Sequence, residues 1–211
     1  DREWVYGHIV VDEAQELSEM AWRAIQRRAV RKSMTIVGDL QQSSHPAGAR
    51  DWNETLSWAG EKMALFTLNV TYRITEETVQ SAIEQLVKSG GNPPELVSIR
   101  SGSPTIHQSL SENEVVDFLT MTMSGKAGRA CAIIPDSLLS HWQEQFQAQS
   151  ADLGFGPAAI DSRIAVLSAK NAKGLEFDVV FVVNPDEIGC QGVRGSDIFV
   201  ACTRATHQLY L

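Results

Sequence analysis

Two adjacent carboxylates, Asp12 and Glu13, have the residue types and spacing best suited to chemistry in this sequence. They follow the apolar run at residues 8–11, which predicts a buried strand. Ligands of open α/β sheets bind beyond the carboxyl ends of the strands, where two acids suit a nucleotide site. One carboxylate can hold Mg²⁺ through water and the other can orient an attacking water. Acids at a strand end also cap helices, so the pair needs support from other segments.

Two later segments carry polar groups that suit phosphate binding. Residues 38–43 follow a second short strand, and the amide of Gln42 can accept from water and donate to phosphate. Arg73 lies at the expected junction of two domains, where its planar guanidinium can reach a phosphate. Taken singly, the two segments are more simply explained as a polar loop and a surface arginine.

The second half of the chain adds a loop and an arginine. In the loop at 169–178, Lys173 can meet a phosphate, Gly174 permits close backbone approach, and Glu176 can accept from a ribose hydroxyl. Arg204 follows a short predicted helix beside the last strand. It is a candidate arginine finger, a residue that stabilises charge on a transferred phosphoryl group. The alternative for Arg204 is an ion pair with a surface acid.

Alternating strands and helices must position these groups. Strands are predicted at 5–11, 34–37, 64–68, 130–134, 163–167, 179–183 and 208–211. Helices are predicted at 19–31, 52–59, 75–88, 112–123, 137–149 and 196–201, with Met20, Ile25 and Ala29 on the packed face of the first. Many strands are apolar on both faces, which indicates a mostly parallel sheet covered by helices. We place a domain boundary between residues 1–69 and 70–211.

Composition narrows the class of protein. The 211 residues are 43% hydrophobic and carry a net charge of −8, with a pI of about 5.1, which argues against a broad basic surface for nucleic acid. Three widely spaced cysteines form no metal-binding pattern with the five histidines, so we expect a reduced, cytoplasmic setting. The sequence contains no 18-residue apolar run, so we expect no membrane partner. Since the chain starts without methionine and almost directly with a strand, we expect a piece of a longer protein.

The order of the five segments is more informative than any one of them. VVDEAQ, GDLQQS, a Tyr-Arg pair, AKGLEF and CTRA follow one another along the chain. This series resembles motifs II to VI of the UvrD/Rep/PcrA-like superfamily 1 helicases. The resemblance implies an α/β, RecA-like P-loop NTPase fold, with the C-terminal part of a first domain in 1–69 and a complete second domain in 70–211. It further implies hydrolysis of ATP between the two domains, coupled to movement along single-stranded or duplex DNA.

The resemblance also implies roles for individual residues. Asp12 would engage Mg²⁺ and Glu13 would orient the hydrolytic water. The residues that would act on the γ-phosphate are Gln15, Gln42, Arg73 and Arg204. The residues that would line the rest of the nucleotide site are Gly174 and Glu176. The residues that would contact nucleic acid are Lys170, Asn171 and Lys173.

The sequence departs from the helicase pattern in several places. The phosphate-cradling GxxxxGK[ST] loop is absent, so we expect this stretch alone to bind ATP weakly or not at all and to be inactive. Ser44-His45-Pro46 stands where unwinding members carry base-stacking aromatics, and the nearest aromatic is Trp52. Arg73 and Lys173 are only 100 residues apart, which leaves no room for a large inserted subdomain. These departures favour the HelD-type branch, whose members dislodge RNA polymerase from nucleic acid.

Three functions therefore stay open. The first is an ATP-driven DNA helicase or translocase, and the second is a motor that remodels a complex such as transcribing RNA polymerase. The third is a RecA-like module that binds a partner without catalysis. The intact set of Asp12, Glu13, Gln42, Arg73 and Arg204 favours the motors, because a scaffold does not need these side chains.

Overall fold

A computed structural model describes residues 4–43, 45–125, 127–149, 151–190 and 195–211. The chain forms two compact units, unit 1 at Asp1–Thr67 and unit 2 at Leu68–Leu211. Within the described residues the strands are β1 Ile9–Val11, β2 Met34–Ile36, β3 Val70–Thr71, β4 Val97–Ser98, β5 Ala130–Ile133, β6 Leu153–Phe155, β7 Ile164–Leu167, β8 Phe177–Val182 and β9 Ala205–Tyr210. The α-helices are α1 Glu19–Arg28, α2 Trp52–Thr55, α3 Glu76–Lys88, α4 Glu112–Met123, α5 Leu139–Phe146, α6 Pro185–Cys190 and α7 Ser196–Cys202.

Unit 1 has a small core beside a two-stranded parallel sheet. β1 and β2 pair from Ile9 opposite Met34 to Val11 opposite Ile36. The side chain of Ser18 caps α1 by accepting from a main-chain N–H in its first turn. Trp22 of α1 is buried, with its ring 6.2 Å from that of Trp58. The helix thereby covers one face of the strands that carry the acidic pair.

Unit 2 is built on a five-stranded parallel sheet in the order β6-β7-β5-β8-β9. Alternate residues of β5 face opposite sides: Cys131 and Ile133 pack with α3, α6 and α7, whereas Ala130 and Ala132 pack with α4 and α5. Because helices cover both faces, β5 and β7 are apolar and buried throughout. β3 and β4 form a separate parallel pair, in which Val70 lies opposite Val97.

The predicted fold class, α/β and RecA-like with mostly parallel sheets flanked by helices, is confirmed. The helix predicted at 112–123 is also confirmed residue for residue, and a capping box of Ser111 and Glu114 fixes its start. Hydrogen bonds from the Ser111 hydroxyl and then from its main-chain N–H lower the pKa of Glu114. The assignment of 1–69 and 70–211 to two RecA-like domains stays a prediction.

Several expectations are wrong. The strand predicted at 64–68 is absent, and its apolar side chains are largely exposed, with Phe66 at 83% and Leu68 at 89%. An apolar run forms a strand only where a neighbouring strand offers hydrogen bonds. In the described structure no strand pairs with this run. Met20 does not face the core of unit 1, since it is 72% exposed and Trp22 takes that place.

Four elements were not predicted: β3, β4, β6 and α6. The three strands have only two or three residues each, too few to show a period-2 pattern. α6 has six residues, fewer than two helical turns, which is too short to show a helical period. Short elements of this kind are held by tertiary contacts that local sequence does not encode.

Candidate functional site

The acidic pair lies in a turn that joins the ends of both strands of unit 1. The Val37 N–H donates to the Val11 carbonyl at 2.8 Å, and the Ala14 N–H donates to the Val37 carbonyl at 3.0 Å. Glu13 adopts a left-handed conformation, with φ 50°, which is uncommon for a residue with a side chain. Its N–H donates to Asp12 Oδ1 at 2.8 Å, and both carboxylates are exposed. The turn therefore presents two acids to solvent at the carboxyl end of β1.

Gln15 connects this turn to the segment at 38–43. It is fully buried, at 0% exposure. Its Nε2 donates to Glu13 Oε2 at 2.6 Å, and its Oε1 accepts from the Asp39 N–H at 3.0 Å. Both ends of the amide are thus used inside the protein. The structure places Gln15 as a support for the Glu13 carboxylate, and a direct γ-phosphate contact would require these two bonds to rearrange.

The chain wraps closely around Gln15. Its main-chain carbonyl accepts from the Ala49 N–H at 2.7 Å and from Ser43 Oγ at 3.2 Å. A Cβ at Gly38 would lie 2.6 Å from Gln15 Oε1, and a Cβ at Gly48 would lie 2.4 Å from the Gln15 carbonyl oxygen. Neither position has room for a side chain, so two glycines define the space around Gln15.

Gln42 lies half-buried in a one-turn 3-10 helix whose start is capped by Asp39. Asp39 Oδ1 accepts from the Gln41 N–H at 2.9 Å, and Asp39 Oδ2 accepts from Gln42 Nε2 at 2.9 Å. Asp39 therefore orients the Gln42 amide while its own main chain is held by Gln15. Sequence reasoning included Asp39 only as part of a motif and missed this role.

In unit 2, two residues expected at the nucleotide lie in direct contact. Arg73 Nη1 is 2.8 Å from Glu176 Oε1, and the side chains are 47% and 43% exposed. Arg73 follows β3 and Glu176 precedes β8, and 103 residues separate them in sequence. The structure thus brings together a phosphate-binding candidate and a ribose-binding candidate.

Arg204 lies at the same end of the sheet but is 2% exposed. Its Nε donates to the Val200 carbonyl at 3.2 Å, and its Nη1 donates to the Leu175 carbonyl at 3.3 Å. The Phe177 N–H in turn donates to the Arg204 carbonyl at 3.0 Å. In this conformation Arg204 holds the loop that carries Glu176. To act as an arginine finger it would have to leave these carbonyls.

Arg100 is a further residue at this site, and sequence reasoning missed it. Its Nη1 donates to the Arg73 carbonyl at 2.6 Å, and its Nη2 donates to the Thr206 carbonyl at 3.4 Å. Arg100 lies in a stretch rich in glycine and proline that gave no signal beyond a loop. No local pattern marks an arginine whose partners are 27 and 106 residues away.

Comparison with known proteins bears on the C-terminal part of unit 2. Residues 163–211 match the UvrD-like helicase C-terminal domain. The predicted resemblance to UvrD-like helicases is thereby confirmed for this stretch, hereafter the UvrD-like segment, which contains the 169–178 loop and Arg204. No comparison tests the HelD-type branch, which stays a prediction. No curated protein matches the sequence.

Two solved structures of viral helicases share the fold. A PRRSV helicase is 17% identical and aligns over 95% of this chain and 33% of its own, with a TM-score of 0.51. An arterivirus nonstructural protein 10 helicase is 16% identical over 97% of this chain and 38% of its own, with the same TM-score. The chain spans only 33% and 38% of the length of these viral proteins. The C-terminal domain of a possible DNA helicase from Lactobacillus plantarum WCFS1 is 24% identical, with 67% and 86% coverage and a TM-score of 0.46.

The UvrD-like segment also contains the residues expected at nucleic acid. Lys170 Nζ is 3.1 Å from Asp136 Oδ2, and this hydrogen bond raises the pKa of Lys170. Asn171 and Lys173 are half-buried, and Gly174 has φ 71°, a left-handed conformation that favours glycine. The Lys170 side chain is 53% exposed, and an ammonium has three donors, so the ion pair with Asp136 leaves donors for another acceptor.

Neither a metal-binding cluster nor a membrane-spanning helix is found among the described residues. No group of three or more His, Cys, Asp or Glu side chains converges there to hold a metal ion. No helix in the same part of the chain has the length and apolar character needed to cross a membrane.

Proposed function

We propose that this chain is part of an ATP-driven DNA helicase or translocase, in which acids of unit 1 and arginines of unit 2 act on the same nucleotide. The contact between Arg73 and Glu176 is the observation that carries the proposal. Two segments that the family resemblance assigns to one nucleotide have no reason in local sequence to meet. The UvrD-like segment and the shared helicase fold support the same assignment.

The chemistry required of the protein is positioning and charge stabilisation. Asp12 has the hard oxygen donors that Mg²⁺ prefers, and the bound ion would neutralise charge on the phosphates. Glu13 would orient the attacking water, with its carboxylate held by Gln15 at 2.6 Å. A general base held in this way contributes roughly 10²- to 10⁴-fold to the rate.

Arginines supplied by a second domain make hydrolysis depend on conformation. Arg73 and Arg204 are both engaged within unit 2, with Glu176 and with main-chain carbonyls. Their transfer to a nucleotide would accompany closure, and their return would accompany opening after hydrolysis. A cycle of this kind converts ATP hydrolysis into movement along a strand.

The decisive experiment replaces Glu13 in the full-length protein. Glu13→Gln keeps the hydrogen bond from Gln15 but removes the negative charge, and we expect ATPase activity to fall at least about 100-fold. Glu19→Gln is the matched control, because Glu19 is an exposed acid of the same unit whose side chain is 89% accessible. Hydrolysis at the unmodified rate in Glu13→Gln would reject the proposal and favour a non-catalytic, partner-binding module.

A second candidate is a motor that acts on RNA polymerase. Trp52, the aromatic nearest to the 38–43 segment, packs half-buried against the core of unit 1, and Gly38 lies against its ring. The adjacent turn is closed by the Ala47 N–H, which donates to His45 Nδ1 at 3.1 Å. Base stacking is worth about 1–3 kcal/mol per base. Without a stacking aromatic in this segment the protein would hold separated DNA strands more weakly, which favours a protein target.

Two assays distinguish the candidates. Unwinding of a tailed DNA duplex, with ATPase stimulated by single-stranded DNA, would support the helicase. Release of RNA polymerase from a stalled complex in the presence of ATP, without unwinding, would support the second candidate. Glu13→Gln serves as the negative control in both assays, since each activity requires hydrolysis.

A further inference from the structure

Arg100 connects the segments that carry the two candidate phosphate-binding arginines. Its guanidinium donates to the carbonyl of Arg73 and, over a longer distance, to the carbonyl of Thr206. Thr206 lies in β9, two residues after Arg204. One side chain therefore bridges the chain at Arg73 and the strand that follows Arg204.

The main chain around Arg100 is fixed to the same segment. The Glu76 N–H donates to the Arg100 carbonyl at 2.8 Å, and the Arg100 N–H donates to Ser98 Oγ at 3.0 Å. Ser98 Oγ donates to the Ile74 carbonyl at 2.7 Å. Hydrogen bonds thus hold the chain at Arg73, Ile74 and Glu76, and Arg100 takes part in most of them.

A neighbouring contact fixes the chain that follows Arg100. The Gly102 N–H donates to Glu77 Oε2 at 2.8 Å, and a Cβ at Gly102 would lie 2.4 Å from the Thr75 side chain. A hydrogen bond from its own N–H, together with the Gly102 N–H, lowers the pKa of Glu77. The exposed loop after β4 is therefore tied by hydrogen bonds to the start of α3.

An arginine is needed at position 100 because the two carbonyls belong to different segments. A guanidinium presents several N–H groups in a rigid plane, so it can donate to both at once. The three donors of an ammonium all lie on one nitrogen at the end of a flexible stem, so they cannot span two separate carbonyls as this planar fork does. The bonds are also charge-assisted, which strengthens them relative to neutral ones.

We propose that Arg100 is a positioning residue for nucleotide hydrolysis, which holds the main chain of Arg73 to β9 so that Arg73 and Arg204 approach a nucleotide from fixed relative positions. The inference rests on the proposed function. Arg100 itself makes no contact with the nucleotide in this scheme, and its effect passes through Arg73. Misplacement of a reacting group by about 1 Å can cost up to about 100-fold in rate.

The test measures kcat and KM for ATP hydrolysis by the full-length protein with single-stranded DNA. We expect Arg100→Ala to lower kcat by about 10- to 100-fold with little change in KM. Arg100→Lys should recover only part of that loss in kcat. Circular dichroism checks the fold of both variants, and Arg100→Lys replaces Arg100→Ala as the test variant if Arg100→Ala does not fold. The double variant with Arg73→Ala should be no slower than Arg73→Ala alone, because Arg100 acts through Arg73.

Arg163→Ala is the matched control. Arg163 also donates to a main-chain carbonyl, that of Met123 at 2.6 Å, within unit 2 but away from the arginine pair. An unchanged kcat in this control would show that the loss in Arg100→Ala comes from the position of Arg73 and not from the removal of an arginine in general.

A normal kcat in Arg100→Ala, together with a lowered kcat in Arg73→Ala, would overturn the inference but not the proposed function. The same holds if the fold-losses in kcat of the two single variants multiply in the double variant. Normal kcat in Arg73→Ala would overturn both the inference and the proposed function.

Discussion

Arg73 and Glu176 pair at 2.8 Å across 103 residues of sequence. In the proposed function each side chain binds a different part of the nucleotide, so nucleotide binding would break the ion pair between them. The pair is half-exposed, and such pairs contribute about 0–1 kcal/mol to stability. The contact is therefore weak enough to open on binding, and it keeps the two side chains close to their proposed positions.

Glu176→Gln should raise KM for ATP several-fold while leaving the fold intact. The amide keeps one hydrogen-bond acceptor but loses the charge that attracts Arg73 and the strong acceptor for a ribose hydroxyl. We expect the free energy of unfolding to change by less than about 1 kcal/mol. Steady-state ATPase assays and urea denaturation measure the two quantities.

Asp186→Asn is the control for that variant. It removes the charge from a more exposed ion pair of unit 2, Lys88 with Asp186, that has no assigned role at the nucleotide. Stability should change as little as in Glu176→Gln, and KM should not change. An equal KM effect in both variants would show that loss of surface charge, and not the Glu176 contact, is responsible.

Gln15→Leu should loosen the segment at 38–49. The substitution fills similar space but leaves the Asp39 N–H without its acceptor and Glu13 without its donor. A buried donor left without a partner costs about 1–3 kcal/mol, which corresponds to about 5- to 150-fold faster amide exchange. Hydrogen–deuterium exchange of peptides covering this segment measures the effect. Exchange equal to that of the exposed-site control Gln108→Leu would contradict the assigned role.

Gly48→Ala should destabilise unit 1, whereas Gly7→Ala should not. A Cβ at Gly48 would meet the Gln15 carbonyl oxygen at 2.4 Å and Ser43 Oγ at 2.8 Å, while a Cβ at Gly7 would have no atom within 4 Å. Forcing a methyl into a packed site costs about 1–3 kcal/mol. A melting temperature lowered by at least about 2 °C in Gly48→Ala alone is the expected result. Equal melting temperatures would show that the loop moves freely away from Gln15.

The cysteines should react in two classes. Cys190 is exposed, whereas Cys131 and Cys202 are fully buried, and burial raises the pKa of Cys202 from 9.0 to about 12. At pH 8 a thiol reagent should label Cys190 quickly and the other two only when unit 2 unfolds. Labelling followed by peptide mass spectrometry reads each site. Labelling of Cys202 at the rate of Cys190 would contradict its burial.

The same burial gives unit 2 a dependence on alkaline pH. In the unfolded chain a thiol loses its proton near pH 9, whereas folded Cys202 keeps its proton up to about pH 12. Stability is therefore fully present below about pH 9 and falls as pH rises through this window. Cys202→Ala should reduce the slope of unfolding free energy against pH between 9 and 11, as measured by urea denaturation.

Local sequence predicts elements that are defined by their own residues. α4 begins where Ser111 and Glu114 form a capping box, and β5 and β7 are apolar throughout because helices cover both faces of the sheet. The contacts of the candidate site are of another kind. Gln15 bonds a residue 24 positions away, and Arg100 bonds one 106 positions away. Such partners are chosen by the fold, and no spacing in the sequence reveals them.

Gly38 lies against both the Gln15 amide and the Trp52 ring, at separations that exclude even one methyl group. The three positions therefore form a single unit of evolutionary change. In a homologue with alanine at position 38, we expect a smaller or shifted side chain at position 15 or 52, so these three positions should covary. Sequence change near the acidic turn is thus limited by packing inside unit 1.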